Sequence, residues 1–487
     1  MKIKTSLADK MGEVEGYFLF EKESFPEEIK NFEGYAKKEE FEGKQDSVFV
    51  FNEKERKVIV VGLGKKKEFR VDYVRSAVST VLGFAKRKKV SSLSLTLPEF
   101  ESVKDIVMAI GEVVVLSSYK LDIFKSKKKK EEKGEKEEKE TLKDIYIREK
   151  ESEELKAAIT EGEIKAGAQN YVSSITDLPA NILNPLEFVK RATELAKENN
   201  LSIEVFDKKK LEELKMNAIL GVNQGSAQPP AMVILEYNKD KTDLPLYAIV
   251  GKGITFDTGG ISLKPPRGME EMKYDATGAC VVLGTTKGVA ELNLPIRLVS
   301  VMPLTENMPG GNAQRPGDIV TAYNGKTIEV INTDAEGRLI LADALSYVVA
   351  EKKPDYMIDV ATLTGAVIVC LGKHAIGLMG TDDRLQKVIE EAGEYTHERV
   401  WKLPLWKEYS KMIESELADI KNIGSERGEA GTITAAAFLK EFVGDTKWAH
   451  LDIAATDHVS GHRYLGTRAS GMGARLLIET LKRLPKK

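Results

Sequence analysis

Beyond residue 178 the chain repeats one order: a short apolar run rich in Val and Ile, then a stretch with helical spacing. Strand-like runs fall at Ser202–Phe206, Ala231–Tyr237, Leu246–Val250, Ile296–Val301, Thr327–Ile331, Tyr356–Val360 and Ala449–Ile453. Helical spacing fills Pro185–Asn199, Ala276–Leu292, Leu339–Ala350 and Thr432–Val443. Parallel strands need long crossovers, and near-continuous apolar strands need cover on both faces. This half therefore reads as a mostly parallel sheet covered by helices, with functional groups beyond the carboxyl ends of its strands. The first 122 residues repeat the order on a smaller scale, with runs at Ser47–Phe51, Val58–Gly62 and Leu93–Leu97 and helices at Val71–Arg87 and Ile106–Leu116. The fold class is α/β, a small N-terminal α/β domain plus a larger one with a mostly parallel, helix-covered central sheet. We place the first domain at 1–150, a connecting helix within 151–177 and the second domain at 178–487.

With 487 residues, the chain exceeds what one core usually organises. Its 73 basic and 76 acidic residues leave a net charge of −3, so bulk electrostatics do not point to nucleic acid. The Lys/Glu run from Lys125 to Glu140 lacks apolar period and reads as a solvated loop. No apolar run reaches the roughly 18–20 residues of a membrane span. The residues after Met1 lack the apolar core of a signal peptide. The two cysteines, Cys280 and Cys370, are expected as buried free thiols, and the compartment as the cytoplasm.

Two short stretches carry the chemistry. In the first, the run Thr327–Ile331 hands over to a helix through Asn332-Thr333-Asp334-Ala335-Glu336-Gly337-Arg338-Leu339. In extended backbone Asp334 and Glu336 project to the same side, and Gly337 permits a sharp turn or close approach beside the cation of Arg338. The second stretch follows Leu246–Val250 as Gly251-Lys252-Gly253 through Asp257-Thr258-Gly259-Gly260 to Lys264. Just beyond it, Met272-Lys273-Tyr274-Asp275 opens a small-residue helix with Asp275 at or near its N-cap.

Singly, each feature has an ordinary explanation as a helix-start acid, a cap, a turn or a surface lysine. Together, Asp257, Asp275, Asp334 and Glu336 would repel one another unless cations neutralised them. Two divalent ions, sharing a carboxylate at ~3.5–4 Å separation, would do so. None of the five histidines lies near either stretch, and no His-Glu-x-x-His, Cys-x-x-Cys, Gly-x-Ser-x-Gly or Walker A pattern occurs. Any metal site must therefore be dominated by carboxylates.

The two stretches resemble the signatures of the leucyl (cytosol) aminopeptidase family of dizinc exopeptidases. The octapeptide Asn332–Leu339 and the segment Gly251–Lys264 carry the match. It extends to Asp359–Ala366, Trp401–Leu405 and Trp448–Ala454. The resemblance implies a catalytic second domain and two divalent metal ions per subunit, Zn or Mn, with Mg or Co also accommodated. Asp257 and Glu336 would bridge the ions, Lys252 and Asp275 would complete one, and Asp334 the other. Lysine ligates only as the neutral amine, which burial beside dications would enforce. The resemblance further implies that Arg338 holds a bicarbonate acting as general base and that Lys264 polarises the substrate carbonyl. A metal-activated water would attack, and the substrate's free α-amine would bind a metal, restricting cleavage to the first residue. Met272, Thr362, Leu363, Gly365 and Ala455 would line the first side-chain pocket. Peptide substrates and a homohexamer are implied as well.

The chain departs from the family pattern at Ala276, at Ala455 and across Arg468-Ala469-Ser470-Gly471, positions that bear on side-chain preference and touch no proposed ligand. Two other functions stand beside the peptidase. A two-metal phosphohydrolase or nuclease would use the same carboxylates with Lys and Arg. A DNA-binding protein with secondary peptidase activity could use Lys125–Lys130, although the neighbouring glutamates largely cancel that charge.

Overall fold

The structure, a computed structural model, describes residues 1–5, 12–52, 56–126, 142–424 and 428–484. Most of the expected Lys125–Glu140 loop, residues 127–140, lies outside them. The chain divides into two compact units. One comprises Met1–Gly167 with Ser460–Gly466, the other Ala168–Val459 with Thr467–Lys487. The helix Glu153–Thr176 is shared between them.

The first unit is built on β1 (Lys2–Thr5), β2 (Val14–Leu19), β3 (Val48–Asn52), β4 (Lys57–Gly62), β5 (Ser92–Thr96) and β6 (Asp144–Ile147). They form one sheet in the order β1-β6-β5-β2-β4-β3. All its pairings are parallel except β3 with β4. The helices Val71–Arg87 and Val103–Leu116 pack with it, the first over the expected residues and the second starting a turn early, where Ser102 caps it by accepting from Asp105 N.

In the second unit the strands are β7 (Ser202–Phe206), β8 (Ala231–Tyr237), β9 (Leu246–Gly251), β10 (Gly253–Asp257), β11 (Arg297–Asn307), β12 (Ile319–Thr321), β13 (Thr327–Glu329), β14 (Tyr356–Ala361), β15 (Ile376–Gly380), β16 (Val400–Lys402), β17 (Ile420–Lys421) and β18 (Trp448–Asp452). The main sheet runs β16-β15-β18-β14-β9-β11-β8-β7, with β10 paired to β11. Its centre is parallel: β18 with β14, β14 with β9, and β9 with β11. Both faces are buried. Along β9, Tyr247 and Ile249 enter one core while Ala248 and Val250 enter the other. The carboxyl ends of β9, β10, β14 and β18 therefore converge on one edge of a rigid platform.

Three expectations need correction and a fourth needs refinement. The run before the octapeptide is strand only over Thr327–Glu329, and it belongs to a small separate sheet, β12-β13-β17. Asp334 and Glu336 are not in extended backbone: Asp334 lies in a turn and Glu336 begins the helix Glu336–Tyr347. Asp275 stands directly before the N-cap, Ala276, near it as expected, but makes no cap bond. A 3-10 segment, Met269–Ala276, carries it, and the helix Thr277–Glu291 starts behind Ala276 without a side-chain cap. Of the thiols, Cys280 is buried but Cys370 is exposed, because the short helix Gly365–Leu371 buries only Val367.

Candidate metal centre

Lys252 interrupts the strand between β9 and β10. Its backbone N–H donates to Val360 O at 3.1 Å, and its carbonyl accepts from Ala279 N at 2.7 Å. That close approach of helix to strand requires Gly278, where a Cβ would stand 2.3 Å from Val360 O. The side chain is thereby turned into the interior. Its ammonium lies 2.8 Å from both Asp275 Oδ1 and Glu336 Oε1 and donates to Thr362 O, also at 2.8 Å. Lys264 supplies a second ammonium, 2.9 Å from Asp257 Oδ2 and paired with Asp334 Oδ1.

Oxygens of Asp257, Asp334 and Glu336 lie within 4.8 Å of one another. Asp257 is oriented from behind, its Oδ1 accepting from Gly259 N and from Asn307 Nδ2, each at 2.8 Å. Asn307 also donates to Thr333 O at 3.0 Å and so joins the two stretches. Asp275 is held by the Thr362 hydroxyl, 2.7 Å from its Oδ1. Its Oδ2 and Glu336 Oε2 are buried without a hydrogen-bond partner.

Burial sets the electrostatics. It pushes Asp275 up to about 7 against the pull of the adjacent Lys252, with Glu336 and Asp257 adding to the rise. Asp334 is pushed up to about 7 by burial, Glu336 and Asp257, against Lys264. For Lys252 burial acts against the ammonium, but Asp275, Glu336 and Asp257 outweigh it and hold the group charged. Two ammonium groups thus face four carboxylates, and the excess negative charge is unfavourable enough that burial and mutual repulsion favour protonating Asp275 and Asp334. With the two orphaned oxygens and an all-oxygen-and-amine donor set, the residues fit divalent cations.

Arg338 stands apart from the ion pairs. Its Nη1 donates to Asn422 O at 2.6 Å, its Nε is buried without a partner, and burial lowers its pKa to about 10. Among the expected pocket residues, Met272 and Leu363 are half-buried, Gly365 is exposed at the head of its helix and Ala455 is fully buried.

Asn307 and Asn422 escaped the sequence reading. Asn422 Oδ1 accepts from Ile331 N at 2.8 Å and its Nδ2 donates to Asn332 O at 2.6 Å, fixing the octapeptide from 90 residues away. Lone asparagines outside a motif carry no local signal for such a task.

A mostly parallel α/β sheet presenting a buried, oxygen-rich carboxylate and lysine cluster at its strand ends defines a class of metal-dependent hydrolases. Residues 170–478 match the catalytic domain of the cytosol aminopeptidase family, and residues 24–128 match that family's N-terminal domain. The chain belongs to the cytosol aminopeptidase family, metal-dependent aminopeptidases. It is 42% identical to the "Probable cytosol aminopeptidase" of Geobacter sp. (strain M21), over 88% of this chain and 86% of that one. The "Probable cytosol aminopeptidase" of Pseudomonas fluorescens (strain SBW25) is 44% identical over the same shares. Among solved structures, the bottromycin maturation enzyme BotP in complex with Mn superposes with a TM-score of 0.85 at 30% identity, covering 97% of this chain and 99% of that one.

Proposed function

We propose that the protein is a two-metal aminopeptidase that removes N-terminal residues, leucine and other apolar ones foremost, from peptides. The observation that carries this reading is the convergence of Asp257, Asp334 and Glu336 beside Lys252 and Asp275, with buried carboxylate oxygens left unpaired. Asp257 and Glu336 would be shared between two ions, Lys252 and Asp275 would serve one, and Asp334 the other. Bound there, two divalent ions, Zn or Mn, would acidify a water, polarise the scissile carbonyl and take up the substrate's α-amine. Lys252 would serve as the neutral amine, and the ion pairs with Asp275 and Glu336 mark where its proton is now held.

Lys264, partly exposed and paired with Asp257 and Asp334, would swing towards a developing oxyanion once those carboxylates turn to cations. Arg338, with one unpaired buried N–H, suits a small anion such as bicarbonate that could accept the water's proton. Met272, Thr362, Leu363, Gly365 and Ala455 would shape the first side-chain pocket. A homohexamer is part of the same reading.

The test compares Leu-p-nitroanilide with its N-acetylated analogue, first with chelated protein and then after adding Mn²⁺ or Zn²⁺. Cleavage of the free-amine substrate alone, restored by metal, is expected. Equal cleavage of both substrates would defeat the free-amine requirement, and none with any metal would favour the phosphohydrolase or DNA-binding reading.

A further inference from the structure

The strand β18 presents Trp448, His450 and Asp452 to one face, as the two-residue period requires. All three are buried without exposure, and their polar atoms are directed at the neighbouring strand β14 and the turn after it. Trp448 Nε1 donates to Asp359 Oδ2 at 2.7 Å, and His450 Nδ1 to Asp359 Oδ1 at 2.6 Å. Asp452 lies in register with Ala361, the last residue of β14, and holds the turn beyond that strand. Its Oδ1 accepts from Leu363 N at 3.1 Å and from Ala454 N at 3.3 Å, and its Oδ2 accepts from the Thr364 hydroxyl at 2.7 Å. The Thr364 oxygen in turn accepts from Val367 N at 3.3 Å and meets the Thr432 hydroxyl at 2.9 Å. Asp452 thus gathers a strand end, a turn and a helix start onto one carboxylate.

That turn is also a support of the metal centre. Thr362 immediately precedes the residues Asp452 holds, and it contacts the centre twice: its carbonyl receives Lys252 Nζ at 2.8 Å and its hydroxyl meets Asp275 Oδ1 at 2.7 Å. A carboxylate is expensive to bury without solvent. Here it is satisfied by donors from Leu363, Thr364 and Ala454, two of them in the turn directly after Thr362.

We infer that Asp452 is a positioning residue for the reaction: through the Thr362–Thr364 turn it sets the geometry of Lys252 and Asp275 and the wall of the first side-chain pocket. This rests on the two-metal reading above. Outer-shell partners of this kind typically change metal affinity or activity about 10–100-fold when removed.

The test is a Mn²⁺ titration by calorimetry on the full chain, with KM and kcat for Leu-p-nitroanilide, for wild type, Asp452→Ala, Asp452→Asn, Asp452→Leu and Thr364→Val. Asp452→Ala should bind one of two Mn²⁺ about 10–100-fold more weakly and raise KM even at saturating metal. Asp452→Asn, which keeps an oxygen for Leu363 N and Ala454 N, should stay within a few-fold of wild type, whereas Asp452→Leu, which fills a similar space without an acceptor, should lose as much as Asp452→Ala. Thr364→Val removes the hydroxyl that Asp452, Val367 N and Thr432 share but leaves Asp452 its bonds from Leu363 N and Ala454 N; it should show a smaller loss in the same direction, and it decides the matter if Asp452→Ala fails to fold. Wild-type Mn²⁺ affinity and KM in a folded Asp452→Ala, or in Thr364→Val where it must decide, would overturn the inference alone. A wild type that binds no Mn²⁺ and cleaves nothing would overturn the two-metal reading beneath it.

Discussion

Gly337 is where the octapeptide meets the lysine. A Cβ at this position would stand 2.6 Å from Lys252 Cε and 2.7 Å from its Nζ. Lys252 cannot step aside cheaply, since Asp275, Glu336 and the carbonyl of Thr362 enclose its ammonium. Gly337→Ala should therefore leave the helix intact, alanine being the better helix former by about 1 kcal/mol. It should nonetheless weaken metal binding at least about tenfold and slow Leu-p-nitroanilide cleavage by roughly 100-fold. Circular dichroism and a Mn²⁺ titration separate the two effects, and wild-type affinity in the folded variant would defeat the expectation. At this scale the carboxylates and lysines were legible because each sits in a compact motif with a chemical reason for its residue type. The supports were not. Asn307, Asn422 and Asp452 reach the site across 50 residues or more, and only the sheet's topology brings them there.

Strands and helices of the second unit follow the sequence pattern closely where both faces are apolar. β7 and β8 span the expected residues, and β9 and β14 each run one residue longer. The pattern also misses β15 and the last six residues of β11, and it fails where the site interrupts it. β10 was invisible because Lys252 breaks the apolar run, and the 3-10 segment Met269–Ala276 hides behind a helical composition. The buried face of β18 offers an electrostatic test of such local departures. Burial disfavours a charged His450, but the carboxylates of Asp359 and Asp452 outweigh it and the repulsion of Arg338, so its pKa is raised above 6.5. A raised histidine stabilises the fold fully below its unfolded value, and that contribution is lost as pH rises through the folded one. Urea unfolding of chelated protein should show wild type more stable than His450→Gln at pH 6 by about 1.5–3 kcal/mol, the range for a hydrogen bond to a charged group. The gap should narrow steadily towards pH 9. A gap independent of pH would mean that His450 is neutral throughout.

For the whole chain, the alternation of strand and helix indicated two α/β bodies, yet nothing local foretold that Ser460–Gly466 would join the first unit. Tyr464 explains it: its hydroxyl donates to Asp72 Oδ1 at 2.8 Å, a contact across 392 residues. The two units also differ in what metal can do for them. Every proposed ligand, from Lys252 to Glu336, belongs to the unit Ala168–Val459 with Thr467–Lys487. Binding to the native state alone stabilises it by mass action, about 2.7 kcal/mol when free metal is a hundredfold above Kd. Adding Mn²⁺ to chelated protein should therefore slow amide exchange most at Asn332–Leu339 and Thr362–Thr364, whose side chains and carbonyls frame the centre. The strands β2 and β4 of the first unit contain no proposed ligand and should exchange as before. Exchange measured by mass spectrometry resolves both regions in one experiment. Protection spread evenly over the two units, or none at the octapeptide, would place the metal elsewhere.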